Sequence, residues 1–246
     1  MRIAIIGGGN LGSALAKALI KRYDVIVTRR NPERISFLKD LGCEVTDNNF
    51  KAVQSSDVAI LTVKKTHVRQ VLNEIPKDKL TISFVAGLNF KDLEMMLKKP
   101  VKAMTMISAE FGKGISMYYS RLGEEDNDVV ERVLSCFGDV IKADERYVDI
   151  LTAFASSLAF ISKLYEAFVY SGLRLGYNAE LAKRVALSVF EGGVELLKSY
   201  EPHEIVEKIV TPAGTTIEGL CKLMERGVEF GVIDAIFACA KKLNLS

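Results

Sequence analysis

Gly7-Gly8-Gly9-Asn10-Leu11-Gly12 fits the spacing G-x-G-x-x-G. A β-branched run, Arg2 to Ile6, leads into it, and helical spacing from Leu11 to Arg22 follows. In that context the pattern cradles a pyrophosphate. Gly7 permits the tight turn, Gly9 lets backbone approach the phosphates, and Gly12 lets helix and strand pack closely. The first helical residues, Asn10, Leu11 and Gly12, offer unpaired N–H groups and the positive end of the helix dipole. A glycine-rich turn in a non-binding sheet protein is the alternative, and the strand-loop-helix context argues against it. At the end of the next strand stand Thr28-Arg29-Arg30-Asn31. An NAD site usually carries an acidic residue there for the ribose hydroxyls. Two guanidiniums and a hydroxyl suit a 2′-phosphate instead, so NADP(H) is the expected cofactor.

A second feature lies near the other end, in Val210-Thr211-Pro212-Ala213-Gly214-Thr215-Thr216-Ile217-Glu218-Gly219-Leu220. Small residues feed a helix whose start can hold an anion such as a small carboxylate. Spacing alone favours a plain capped helix start. His67, close to the expected cofactor edge, reads as a surface or nucleotide contact, and His203 as structural. Lys163 and Glu166 are spaced for an i, i+3 ion pair, which is preferred over a proton relay for Glu166. Cys43, Cys136, Cys221 and Cys239 form no metal-ligand spacing, so no metal is expected; they read as small buried apolar residues.

The elements that position these residues change character along the chain. Strands are expected at 2–6, 23–28, 58–63, 81–85, 101–106 and 115–119, with helices near 11–22, 32–41, 68–74 and 90–98. Such alternation implies a doubly wound, mostly parallel sheet. From about Glu145 the pattern is helical only, with helices at 147–171, 179–198, 203–209, 215–225 and 231–243, and Asn178 suited to an N-cap. The expected class is α/β: a Rossmann-like doubly wound domain over residues 1–145, then an all-helical domain over 146–246. The helix at 147–171 is apolar on most faces and must be covered. In a domain of about a hundred residues it is hard to cover from within the monomer, so it is expected to form a dimer interface.

Composition narrows the partners. Of 246 residues, 49% are hydrophobic, enough for a packed core. Thirty-three Lys and Arg against 31 Asp and Glu leave a net charge of +2, which gives no footprint for nucleic acid or an anionic membrane. No signal-peptide layout is visible. The longest charge-free run ends before Lys163, short of the roughly 20 residues a span needs. A soluble, cytoplasmic protein is expected, its cysteines in a reducing compartment.

Taken together, the segments resemble the pyrroline-5-carboxylate reductase family over nearly the whole length. Ile5 to Gly12 is similar to that family's GxGNMG opening. Asn49 and Val53-Gln54-Ser55-Ser56-Asp57-Val58 resemble its asparagine and strand entry. Leu61-Thr62-Val63-Lys64 resembles its LaVKP segment, with Lys65 where proline is usual. Ser83-Phe84-Val85-Ala86-Gly87 resembles SxxAG, Glu166-Ala167 the paired EA of its long helix, and Thr211 to Leu220 its SPGGTTxxGL signature. Two segments depart from it: Met104-Thr105-Met106-Ile107-Ser108 stands where MPNTP is usual, and Phe154-Ala155-Ser156-Ser157-Leu158-Ala159 where SGSGPA is usual.

The resemblance implies NADPH-dependent reduction of 1-pyrroline-5-carboxylate, or a related cyclic imine acid, to proline, by a homodimer or higher homo-oligomer. It implies Asn49 on the adenosine side of the cofactor and Val63, Lys64, Ala86 and Gly87 on the nicotinamide side. The substrate carboxylate would meet the N–H groups of Gly214, Thr215 and Thr216, with the Thr216 hydroxyl, the candidate catalytic group, near the ring nitrogen. The site would be shared between subunits. The altered segments keep in view an NADP(H)-binding dimer without reductase activity, and the glycine opening of the β/α domain keeps in view an NADP oxidoreductase linked to a deazaflavin.

Overall fold

The computed structural model describes residues 1–245 and divides into two compact units: Met1–Ala155 with Leu243–Leu245, and Ser156–Lys242. The first runs β1 (Arg2–Ile6), α1 (Asn10–Leu19), β2 (Asp24–Thr28), a 3₁₀ turn (Pro32–Ile35), α2 (Phe37–Asp40), β3 (Glu44–Thr46), α3 (Asn49–Gln54) and β4 (Val58–Leu61). It continues with α4 (Lys65–Glu74), β5 (Leu80–Ser83), α5 (Phe90–Glu94), β6 (Lys99–Thr105), a 3₁₀ turn (Ile107–Phe111) and β7 (Gly114–Tyr119). α6 (Glu124–Leu134), a 3₁₀ turn (Ser135–Phe137), β8 (Gly138–Lys142) and α7 (Glu145–Ala155) complete it. The strands form one sheet in the order β3-β2-β1-β4-β5-β6-β7-β8, parallel except for the antiparallel pair β6 and β7.

Side-chain alternation sends the two halves of each central strand to different cores. Ile3, Ile5, Val25, Val27 and Ile60 pack with Leu15 and Leu19 of α1 and with Ile35 and Leu38. Ala4, Ile6, Ala59 and Leu61 pack with Ala52 of α3, Val68 and Leu72 of α4 and Leu93 of α5. Burial on both faces explains why these strands read as continuous apolar runs. The short β3, the mostly exposed edge strand β8 and the polar-faced α6 were not anticipated from the sequence. Their apolar patterns are weak because each faces solvent on at least one side.

α7 belongs to the sheet unit. Val148 and Leu151 pack on Met104 of β6. Lys102 of β6, only 4% exposed, places its ammonium 2.9 Å from Glu145 and 2.8 Å from Asp149. A buried cation needs such partners. The compact units therefore divide at Ala155/Ser156, ten residues beyond the expected 145/146 boundary. The single helix expected over 147–171 is two: α7 ends at Ala155 and α8 begins at Leu158, after Ser156 and Ser157. Serine hydroxyls compete with the backbone for hydrogen bonds, which suits a break there.

The second unit holds α8 (Leu158–Arg174), α9 (Ala179–Leu197), α10 (Pro202–Ile209), α11 (Thr215–Glu225) and α12 (Val228–Lys242). α8 and α9 form a hairpin that turns at Gly176, and Asn178 Oδ1 accepts the Leu181 N–H at 2.9 Å. Among the described residues of this unit, Val169, Ala182 and Ala186 are the buried apolar ones. Leu175 is 84%, Phe230 73% and Phe237 63% exposed. So much open apolar surface marks an interaction face. By length and composition alone, the stretch Glu145–Arg174 is apolar enough to cross a membrane. Of the four free cysteines only Cys43 is buried; Cys136 and Cys239 are half-buried and Cys221 is exposed, so the expectation of four buried thiols is corrected.

Candidate active site

The parallel strands of the first unit all end at one edge. Connections leave β1 toward β2 and β3, and leave β4 toward β5 and β6, so a crevice opens between β1 and β4. Open α/β sheets bind ligands at such a switch point. The loop after β1 is built from backbone. Gly7 adopts φ +113°, and the Gly7 and Gly8 N–H groups donate to Thr28 O at 3.2 and 2.8 Å. Thr62 Oγ1 donates to Gly7 O at 2.7 Å. A Cβ on Gly12 would lie 2.2 Å from Gly7 O, whereas a Cβ on Gly9 would meet nothing within 4 Å. Gly12 is thus the packing glycine, and Gly9 faces open space. α1 has no side-chain cap and no acidic residue in its first turn, so the Asn10, Leu11 and Gly12 amides are left for an anion.

The end of β2 separates three residues that sequence grouped together. Thr28 is buried, and its hydroxyl donates to Asn49 Oδ1 at 2.6 Å. Asn49 Nδ2 in turn donates to Glu74 Oε2 at 2.8 Å. Thr28 therefore braces the strand end rather than presenting its hydroxyl to a phosphate. Arg29 turns back, its Nη1 donating to Gly8 O at 2.7 Å. Arg30 is exposed, with Nη2 3.2 Å from His67 Nε2. Neither guanidinium forms an ion pair among the described residues. Two cations without carboxylate partners suit an anionic ligand.

The other side of the crevice carries Val63, Lys64, Ala86 and Gly87. Val63 Cγ1 would come within 2.9 Å of a Cβ on Gly7, so this residue closes against the glycine loop. Lys64 is the exposed N-cap residue of α4. Ala86 is exposed, and Gly87, at φ +69°, has Lys65 beside it. The N–H groups, guanidiniums and open edge thus line one crevice from the end of β2 to the end of β5.

The second unit presents its loop before α11. Gly214 is the N-cap, without a side-chain cap bond, and its N–H donates to Thr211 O at 3.0 Å. A Cβ there would lie 2.4 Å from Thr211 Oγ1, so only glycine fits. Ala213 sits at φ +57°, in the left-handed region. The Thr215 and Thr216 amides open the helix, and Thr216 is half-buried. Lys163 and Glu166 pair on exposed α8, which accounts for both charges. His203 is exposed on α10.

Sequence reasoning missed the Thr62 hydroxyl that ties down the glycine loop and the Lys102 cluster on β6. Glu145 illustrates the latter's electrostatics. Burial would raise its pKa, but the Lys102 hydrogen bond and charge and the Phe90 N–H together hold it below the ordinary carboxylate range. The signal for this cluster was a lysine inside an apolar strand.

Both halves of the chain are similar to known proteins. Residues 145–245 match a family profile described as pyrroline-5-carboxylate reductase dimerisation, and residues 2–87 one described as NADP oxidoreductase, coenzyme F420-dependent. A pyrroline-5-carboxylate reductase of Aquifex aeolicus is 31% identical over 254 residues, covering 98% of this chain and 96% of the relative. One of Corynebacterium melassecola is 31% identical over 260 residues, with 98% and 96% covered. The crystal structure of Plasmodium falciparum pyrroline carboxylate reductase with NADP bound has a TM-score of 0.89 at 25% identity, with 99% and 97% of the chains covered. The Streptococcus pyogenes 1-pyrroline-5-carboxylate reductase structure has a TM-score of 0.90 at 25% identity, with 99% and 98% covered.

Proposed function

The chain belongs to the pyrroline-5-carboxylate reductase family, and on that premise we propose that it reduces 1-pyrroline-5-carboxylate to proline with NADPH. The observation that carries this reading is the presence in one chain of two phosphate- or carboxylate-sized anion cradles. One is the uncapped start of α1 behind an open Gly9, and the other is the uncapped start of α11 behind Gly214. The match to a coenzyme F420-dependent profile covers residues 2–87 only, so it speaks for the nucleotide half and leaves the imine acid as the better substrate.

The residues of the crevice fit a phosphorylated dinucleotide. The Asn10, Leu11 and Gly12 amides would hold its pyrophosphate, Arg29 and Arg30 its 2′-phosphate, and Asn49 would border the adenosine. Val63, Lys64, Ala86 and Gly87 would border the nicotinamide. When bound, the cofactor supplies a hydride. The protein then has to orient the imine and keep its nitrogen proton-bearing, because an iminium carbon is the stronger electrophile. The Gly214 N–H is taken by Thr211 O, so of the three expected donors the Thr215 and Thr216 amides remain to fix the carboxylate, and the Thr216 hydroxyl makes the polar contact to the ring nitrogen.

The open faces of α8 to α12 support a homo-oligomer, with a homodimer as its smallest form, in which the helical units cover one another. This accounts for the apolar stretch at 145–174 without a membrane. A cytoplasmic setting and no nucleic-acid partner complete the proposal. NADPH oxidation with pyrroline-5-carboxylate, measured beside NADPH binding, tests it. Turnover is expected; tight NADPH binding with no turnover would instead favour a non-catalytic dimer.

A further inference from the structure

Arg29 and Arg30 are equivalent in sequence but not in the fold. Arg29 is tied to the Gly8 carbonyl, so Arg30 is the guanidinium left pointing outward at the end of β2. A free arginine side chain loses rotamer entropy when it is fixed. Something that fixes it beforehand strengthens anion binding by reducing that loss. His67 is placed to do this. A guanidinium can only donate, so at 3.2 Å His67 Nε2 accepts from Arg30 Nη2, and the ring proton resides on Nδ1.

The helix that carries His67 is itself anchored. Val68 and Leu72 bury one side of α4 in the core. His67, Gln70 and Glu74 follow at helical spacing on another side, where His67 meets Arg30 and Glu74 meets Asn49 of α3. Gln70 Nε2 donates to Glu74 Oε1 at 2.9 Å and steadies the row. The adenosine half of the crevice is thus braced at both ends from α4.

Resting on the NADP(H) reading above, we propose that His67 is a positioning residue for selection of the 2′-phosphate, acting by holding Arg30 ready at the end of β2. One of the five guanidinium donors engages the ring, which leaves four for the phosphate. A cofactor without a 2′-phosphate gains nothing from this arrangement.

Calorimetry on the full-length protein with 2′,5′-ADP and with 5′-ADP tests the proposal without relying on turnover. His67→Phe, which keeps a ring but removes the acceptor, should weaken 2′,5′-ADP about fivefold, the worth of one net hydrogen bond, and leave 5′-ADP within about twofold. His67→Gln, which restores an acceptor, should recover most of the loss. Arg30→Ala should cost about tenfold or more for 2′,5′-ADP, and adding His67→Phe to it should cost no more. Equal losses for both nucleotides, no loss, or an additive double variant would overturn the proposal. So would a parent protein without preference for 2′,5′-ADP. If the binding pattern holds but pyrroline-5-carboxylate is not turned over, this inference stands and the substrate reading falls.

Discussion

Gly9 and Gly12 stand three residues apart in one motif, yet the structure gives them opposite jobs, and two methyl groups can tell these apart. In Gly12→Ala the added carbon would start 2.2 Å from Gly7 O and 2.7 Å from Thr62 Oγ1. Relief requires α1 to retreat from the loop by about 1 Å, and close-packed interiors charge about 1–3 kcal/mol for such overpacking. The Thr62 to Gly7 hydrogen bond at 2.7 Å occupies the same space, and its loss adds about 1 kcal/mol. Against this, alanine in a helix gains at most about 1 kcal/mol over glycine. The net is a destabilisation of about 2 kcal/mol, or a melting point lower by roughly 4–8 °C in a chain of this size. Gly9→Ala meets nothing within 4 Å and has an ordinary φ of −84°, so its stability should change by under about 1 kcal/mol. Its methyl enters the space where the pyrophosphate would lie, and NADPH affinity should fall at least about tenfold. Thermal unfolding without ligand and NADPH calorimetry read the two effects separately. A Gly9→Ala protein that binds NADPH like the parent, or a Gly12→Ala protein that melts with it, would refute the assignment of roles.

Four further outcomes follow from the geometry. Thr216→Ala should lower kcat/KM about tenfold through loss of one polar contact, with NADPH affinity unchanged by calorimetry. Ala213→Gly should raise stability by about 0.5–1 kcal/mol in denaturant titrations, because φ +57° strains alanine by more than the extra unfolded-state freedom of glycine costs. Glu145 is held below its usual carboxylate range, so its contribution is present above about pH 4.5 and is lost as pH falls through the lower folded value. The parent should therefore be more stable than Glu145→Gln at pH 7 in denaturant titrations, and the difference should vanish as pH falls through the lowered folded value. Phe230→Asp places a charge on a side chain that is 73% exposed in the single chain, and light scattering should show the oligomer dissociating.

Much of this was legible before any coordinates, for identifiable reasons. The glycine loop could be read because it is local: strand, turn and helix are contiguous, and the constraint on Gly12 comes from Gly7, five residues away. The class of sheet followed from β1, β2 and β4, whose apolar runs reflect burial on both faces. What could not be read was direction and distance. Nothing local distinguishes Arg29 from Arg30; that depends on Gly8 in the loop after β1 and on His67 of α4. The role of Thr28 depends on Asn49, 21 positions on. The docking of α7 on the sheet depends on Lys102 meeting residues 43 and 47 positions later, which helical composition cannot show. The extra strands β3 and β8 carry little hydrophobic signal because they sit at the sheet's edges.

The scarcity of buried side chains in α8 to α12 bears on how the protein comes into being. The sheet unit lies first in the chain and carries its own two cores, so it can fold while the rest is still being synthesised. The helices emerge afterwards with almost nothing of their own to pack against. On the homo-oligomer reading, covering their apolar faces awaits encounter with another copy of the chain, which would make the last step of maturation an association step with a rate dependent on expression level. The melting temperature should then rise with protein concentration, as mass action requires when folding and association are one event. Newly made chains, with Leu175, Phe230 and Phe237 uncovered, are the stage at which chaperones and proteases have their opportunity.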